Sequence, residues 1–182
     1  MIYSEADSTI ETDRLLLRRF RGTDAEKVRD MCDNYNMYRS TLNLPYPYTL
    51  GHAHSWIALH DDHFKSDRLY EFAITDISSG ELYGAVALSN RKQHRNGELA
   101  YWVGEDHWGK GYGTEASRAM IEFAFEVKGF HRVYAYFFAS NPASGRIMEK
   151  CGMQYEGTQK EHIYKEGTFE DIVSYGIINP SL

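Results

Sequence analysis

Short stretches of this chain alternate apolar and polar residues, others repeat apolar residues at helical spacing, and the two periods divide it into elements. After a polar lead of about a dozen residues, of which 1–10 are expected to be flexible, Arg14-Leu15-Leu16-Leu17-Arg18-Arg19-Phe20 reads as a first strand. Thr23 followed by Glu26 has the spacing of a capping box, so a helix should start there and bury Val28, Met31, Cys32 and Tyr35. The loop Asn43-Leu44-Pro45-Tyr46-Pro47-Tyr48 follows, and Thr49 can cap a second helix with Ala53, Trp56, Ile57, His60 and Phe64 on one stripe. Residues 70–77, 82–90 and 97–103 read as three strands, the first two joined at Ser78-Ser79-Gly80. A helical stripe of Ala116, Ala119, Met120, Phe123, Ala124 and Val127 ends at Gly129, and 132–138 alternates as a strand. Asn141 before Pro142 marks a short helix ending at Cys151-Gly152, and two strands around Lys165-Glu166-Gly167 close the chain. This mixed order predicts one α+β domain over 1–182, a sheet with helices on both faces.

Between the strand at 97–103 and the helix that follows lie Trp108-Gly109-Lys110-Gly111-Tyr112-Gly113-Thr114. Glycines let a backbone approach a ligand closely, and a helix start leaves N–H donors unpaired at the positive end of the dipole. Such a turn suits a phosphate group, with Lys110 adding a cation, although a glycine-rich turn before a helix can also be only a turn. It is not a nucleotide P-loop, because Lys110 is followed by Gly111 and not by Ser or Thr. Nor does it fit the dinucleotide fingerprint, which needs an early βαβ unit and an acidic residue at the end of the next strand.

The bulk properties narrow the function classes. The chain has 182 residues, 42% hydrophobic and 25% charged, an ordinary globular composition. No apolar run reaches the roughly 18 residues of a membrane span, and the start lacks the basic and apolar regions of a signal peptide. Two cysteines, Cys32 and Cys151, do not make a disulfide framework and fit a reducing cytoplasm, where the protein is expected. A net charge of −6 argues against non-specific nucleic-acid binding and suits a cationic or amine-bearing partner. His52, His54, His60 and His63 cluster on one predicted helix without an HExxH pattern or nearby cysteines, so no metal is expected.

Taken together, Tyr101-Trp102-Val103, Trp108 to Ala116, Asn141-Pro142-Ala143-Ser144 and Glu149-Lys150-Cys151-Gly152-Met153 resemble the GNAT superfamily of acetyl-CoA-dependent N-acetyltransferases. They look most like its branch containing the bacterial ribosomal-protein-alanine N-acetyltransferases, which Glu11 to Arg18 and Gly167 to Asp171 also match. Two positions depart from the usual pattern: Trp108 fills a slot that commonly holds Gln or Arg, and Met153 replaces a common Phe.

The resemblance implies the acyl-CoA N-acyltransferase fold, a mixed, largely antiparallel twisted sheet. Acetyl-CoA would lie where the strand at 97–103 splays from that at 132–138. Backbone groups of Trp102 and Val103 would hold the thioester end, Trp108, Gly109, Lys110, Gly111, Tyr112, Gly113 and Thr114 the pyrophosphate, and Asn141 and Ser144 the pantetheine arm. Glu98 is the candidate base, with Glu161, His162 or a water relay as rivals, and Ser144 the candidate acid for the departing thiolate. Each has a plainer alternative, a solvated carboxylate for Glu98 and helix capping for Asn141 and Ser144. Cys151 has no histidine near it in sequence and is not expected to be a nucleophile. The implied activity is acetyl transfer to a primary amine, on a protein N-terminus or a small molecule, by direct attack. A non-catalytic acyl-CoA-binding module would use the same loop, and the resemblance allows a homodimer.

Overall fold

The computed structural model describes residues 1–6 and 8–181. Nine strands form one sheet: β1 (Ile2–Ser4), β2 (Thr9–Glu11), β3 (Leu15–Arg18), β4 (Leu69–Asp76), β5 (Leu82–Ser89), β6 (Asn96–Val103), β7 (Arg132–Phe138), β8 (Gln154–Lys165) and β9 (Thr168–Ile178). Their order is β1-β2-β3-β4-β5-β6-β7-β9-β8. Every neighbouring pair is antiparallel except β6 and β7. Six helices flank it: α1 (Ala25–Cys32), α2 (Tyr35–Ser40), α3 (Leu50–Ala58), α4 (His60–Lys65), α5 (Tyr112–Glu122) and α6 (Pro142–Lys150).

Strand alternation sends side chains to two cores. Tyr70, Phe72, Ile74, Val86, Leu88 and Leu99 face α5, which contributes the expected stripe of Ala116, Ala119 and Met120. On the other face Ala73 and Leu82 meet Val28 and Cys32 of α1 and Ala53 and Ile57 of α3. Helices therefore cover both faces, the α+β arrangement expected.

Several local expectations need correction. The lead read as flexible forms β1 and β2, because Ile10 is fully buried and Tyr3 packs its ring on Phe123. Isolated apolar residues among polar ones carry no visible period, yet Tyr3 and Ile10 dock on the sheet edge. Thr23 is not a cap: 22–24 is a 3₁₀ turn in which the Asp24 carboxylate accepts from the Arg21 N–H at 2.7 Å and pairs with Arg18 at 2.8 Å. Tyr35 opens α2 and is half-exposed instead of ending α1 in the core. The second predicted helix breaks at Leu59 into α3 and α4, though Thr49 caps α3 as expected, its hydroxyl accepting from the His52 N–H at 3.3 Å. Beyond α5 a π-helical turn over Phe123–Val127 rotates the stripe, which leaves Val127 outside the core.

Candidate active site

The parallel seam between β6 and β7 is short. Asn96, Gly97 and Glu98 pair with Arg132, Val133 and Tyr134, and there the pairing stops. From Leu99 to Val103, β6 stays paired to β5 alone, so its other edge faces an open, V-shaped gap. Edge N–H and C=O groups left without a strand partner can accept an extended ligand as if it were an added strand. Leu99, Tyr101 and Val103 point to the α5 side of the gap, Glu98, Ala100 and Trp102 to the α1–α3 side.

The glycine loop closes the far end of β6. Gly109 and Gly111 have φ of +73° and +84°, values that favour glycine, and Gly111 is the residue before α5. The first helical bond runs from the Glu115 N–H to the Gly111 carbonyl at 3.0 Å, so the N–H groups of Tyr112, Gly113 and Thr114 precede the intrahelical ladder. Gly113 is needed for a different reason: a Cβ there would lie 3.0 Å from Ile147 Cδ1 and 3.5 Å from Val103 Cγ2, where α5, α6 and β6 meet. Trp108 turns its indole N–H back to the Val103 carbonyl at 2.6 Å, which removes that acceptor from the open edge. Tyr112 stacks on Tyr83 with centroids 4.3 Å apart.

A group of residues outside the glycine motif anchors this loop. Glu115 accepts from the Thr12 hydroxyl at 2.7 Å, from the Arg14 backbone at 3.0 Å and from Arg14 Nε at 2.7 Å. Arg14 also donates to the Lys110 carbonyl at 3.1 Å. Burial alone would raise the Glu115 carboxyl, but the Thr12 and Arg14 bonds outweigh it and hold it below the usual carboxylate value. The sequence signal for this anchor, an acidic residue in the first turn of α5, is one that any helix start can show.

On the α5–α6 side, Tyr101 Oη lies 2.8 Å from Ser144 Oγ, a contact in which either hydroxyl can be the donor, and 2.9 Å from the Ser144 carbonyl, which accepts from Tyr101. Burial pushes the Tyr101 hydroxyl well above its ordinary value, so it stays protonated and can hold the serine in place. Ser144 thus has a side-chain partner across the gap, in addition to its place one turn into α6. Asn141 does not cap α6 with its side chain; its Nδ2 donates to the Ser40 carbonyl at 3.4 Å, at the end of α2.

Glu98 sits at the apex of the V, the last residue of β6 paired to β7. Its N–H donates to Ser89 Oγ at 2.8 Å. Burial raises its carboxyl, with Arg91 opposing. The rivals Glu161 and His162 lie instead on an irregular, exposed part of β8, where the Glu161 N–H donates to Asp171 at 2.8 Å. Cys151 is half-buried, with its thiol pushed up to about 11 by burial. Trp102 packs near Trp56, whose ring touches Phe20 and His60. His60 and His63 approach the buried Glu71 at 3.3 and 2.9 Å, while His52 accepts from the Thr49 N–H. Among the described residues no three His, Cys, Asp or Glu side chains are placed to hold a metal. Among them, too, no helix is long and apolar enough to cross a membrane.

An open seam ending in a glycine turn and a helix start is the arrangement that the resemblance implies, and comparison with known proteins agrees. Residues 14–154 match the family model described as "Acetyltransferase (GNAT) domain". The chain is 30% identical to the uncharacterized N-acetyltransferase YoaA of Bacillus subtilis, over 94% of this chain and 97% of that one. It is 25% identical to the [Ribosomal protein uS5]-alanine N-acetyltransferase of Escherichia coli, over 94% and 91%. A crystal structure of the ribosomal-protein-S5-alanine acetyltransferase of Vibrio fischeri superposes with a TM-score of 0.83 at 21% identity, covering 96% of this chain and 98% of that one. This chain belongs to the GNAT acetyltransferase family.

Proposed function

We propose that this protein transfers the acetyl group of acetyl-CoA to a primary amine by direct attack within a ternary complex, without an acyl-enzyme. The observation that carries the reading is the seam itself: β6 leaves β7 after Glu98 and runs as a free edge to the N–H groups at the start of α5. That edge suits an extended thiol arm and that helix start suits a pyrophosphate. Trp102 and Val103 would border the thioester, residues 108–114 the phosphates, and Asn141 the arm near its middle.

Glu98 and Ser144 serve opposite ends of the reaction. Glu98, on the α1–α3 side, takes the proton from the amine directly or through water, and its raised carboxyl makes it a better acceptor. The amine nitrogen forms a bond to the acetyl carbonyl carbon, and the carbon–sulfur bond then breaks. Ser144, held by Tyr101 on the α5–α6 side, passes a proton to the departing sulfur while the nitrogen's second proton returns through water to restore the serine hydroxyl, so CoA leaves as the thiol. With its thiol raised to about 11, Cys151 is a poor nucleophile at neutral pH, which favours direct attack. The reading places the work in the cytoplasm and leaves a homodimer open.

The test is release of CoA thiol from acetyl-CoA with alanine- and serine-starting peptides, amino acids, polyamines and aminoglycosides, beside Ser144→Ala and Glu98→Gln. Turnover with an amine that falls in either variant supports the roles. Acetyl-CoA binding without turnover on any amine would favour a binding module and overturn the catalytic reading.

A further inference from the structure

A second cleft of about 420 Å³ opens between the loop that follows α2 and the end of β8, lined by Tyr38, Leu42, Leu44, Ile163, Tyr164 and Lys165, with Glu166 at its rim. It is an open cleft of small-molecule size, in which tyrosine, leucine and isoleucine side chains alternate with polar groups. It adjoins the gap: Lys165 Nζ lies 5.7 Å from the centroid of Phe138, the last residue of β7, and Asn141 beyond it bonds the Ser40 carbonyl. An acceptor entering here would approach the mouth of the V.

Lys165 is the unusual member. Its ammonium donates to the Tyr38 carbonyl at 2.6 Å and to the Thr41 carbonyl, and lies 4.1 Å from the Tyr38 ring centroid. An ammonium has three donors, so two bonds leave one unused. The Glu166 and Glu170 carboxylates are near enough to favour its charged form. Glu166, its neighbour, accepts from the Tyr35 hydroxyl at 2.9 Å. Lysine near a helix end commonly binds the last carbonyls, and that alone would explain two of the bonds. What it does not explain is a cation set in the wall of a cleft beside tyrosine and leucine with a donor to spare. Burial there lowers the lysine's proton affinity by more than Glu166 and Glu170 raise it, a cost that a bound anion would offset further.

Resting on the acetyltransferase reading above, we infer that the acceptor is a small amine carrying its own carboxylate and an apolar or aromatic body, an amino-acid-like molecule, and that Lys165 reads the carboxylate. The tyrosine and leucine wall takes the apolar body. A polyamine, with no anion to offer, would bring further cations towards Lys165.

The experiment compares free methionine and phenylalanine with their amides, and with spermidine, by CoA-thiol release on the full chain. Wild type, Lys165→Met, Lys165→Arg and Glu166→Gln are run together, with acetyl-CoA affinity and melting temperature measured for each. Wild type should favour the free acids over the amides roughly tenfold or more in kcat/KM, the worth of one charge-assisted bond. Lys165→Met should erase that preference by raising KM for the acids while rates on the amides and acetyl-CoA affinity hold. Lys165→Arg should keep part of it. Equal losses on acids and amides in Lys165→Met would reduce Lys165 to a tie for the α2 end and overturn the inference. So would a wild-type preference for spermidine that Glu166→Gln removes. Turnover on none of these amines, with acetyl-CoA bound, would overturn the inference, and the peptide and aminoglycoside arms would then decide the acetyltransferase reading separately.

Discussion

The glycine loop and the tyrosine-lined cleft sit at two approaches to the same gap and are built in different ways. The loop offers backbone N–H groups of one continuous stretch, shaped by positive φ at Gly109 and Gly111 and anchored from outside by Arg14. The cleft offers side chains from segments far apart in the chain; Lys165 bonds a carbonyl 127 positions away. A site made of backbone is fixed by which residues can adopt a conformation, and tolerates side-chain change on its outside. A site made of side chains can change its ligand by one substitution. Within one family this would let the cofactor end stay constant while the acceptor end diverges.

The largest effect should come from a residue that belongs to neither side. Ser144→Ala removes the hydroxyl that faces Tyr101 and the gap, but leaves the loop and the cleft intact. Turnover should fall about a hundredfold, the usual worth of a positioned proton donor, while acetyl-CoA affinity and melting temperature hold. Steady-state rates beside calorimetric binding test this; a matching loss of affinity would make Ser144 a binding residue only.

Gly111→Val attacks the loop alone. A β-branched residue at φ of +84° costs about 1–2 kcal/mol, and a Cβ there also comes within 3.4 Å of Arg14. If the strained turn opens, acetyl-CoA affinity should fall by about 5- to 30-fold, with the acceptor preference unchanged. A change in acceptor preference instead would mean that the two sides are not independent.

Glu98→Gln separates the apex from both. Burial raises the Glu98 carboxyl above 4.5, so the base form is lost at a higher pH than for an ordinary glutamate. The acid limb of kcat/KM should therefore lie above pH 4.5 and should flatten in Glu98→Gln, with about a tenfold loss at neutral pH because water can relay the proton. An unchanged limb would assign it to another group.

The contrast between the two sides also explains what could be read from sequence. The strands observed at 15–18, 69–76, 82–89 and 96–103 could be read from apolar, aromatic and branched runs between turn residues, and that at 132–138 from alternation. The glycine spacing marked the loop because conformation there is local. The Thr49 cap was readable for the same reason, since Thr49 and His52 are three residues apart. The pairs Tyr101–Ser144, Arg14–Glu115 and Lys165–Tyr38 were not, because nothing in either residue's neighbourhood points to the other. Lys165-Glu166-Gly167 has the composition of any hairpin turn, and only the fold brings it against α2. Likewise β1 and β2 hide in a polar stretch whose few apolar residues find partners only on a completed sheet.

The smallest effect should come from Arg14→Ala, and its pH dependence tests how the loop is held. Arg14 is half-exposed, so solvent screens its pair with Glu115 and the loss of stability at pH 7 should be only about 0.5–1 kcal/mol. Glu115 titrates below 4.5 in the folded chain, so the stability it supplies is present above that value and is lost as pH falls through the folded value. Arg14→Ala removes part of that depression. Wild type and variant should therefore differ most near neutral pH and converge in acid, as urea unfolding at pH 7 and pH 3 would measure. A difference that persists in acid would mean that Arg14 acts through the uncharged Lys110 carbonyl and its stacking on the Tyr112 ring. The loop would then be a backbone site held by backbone and packing, with no ionic tie to the β2–β3 connection. That outcome would widen the difference between it and a cleft whose proposed selectivity rests on one lysine.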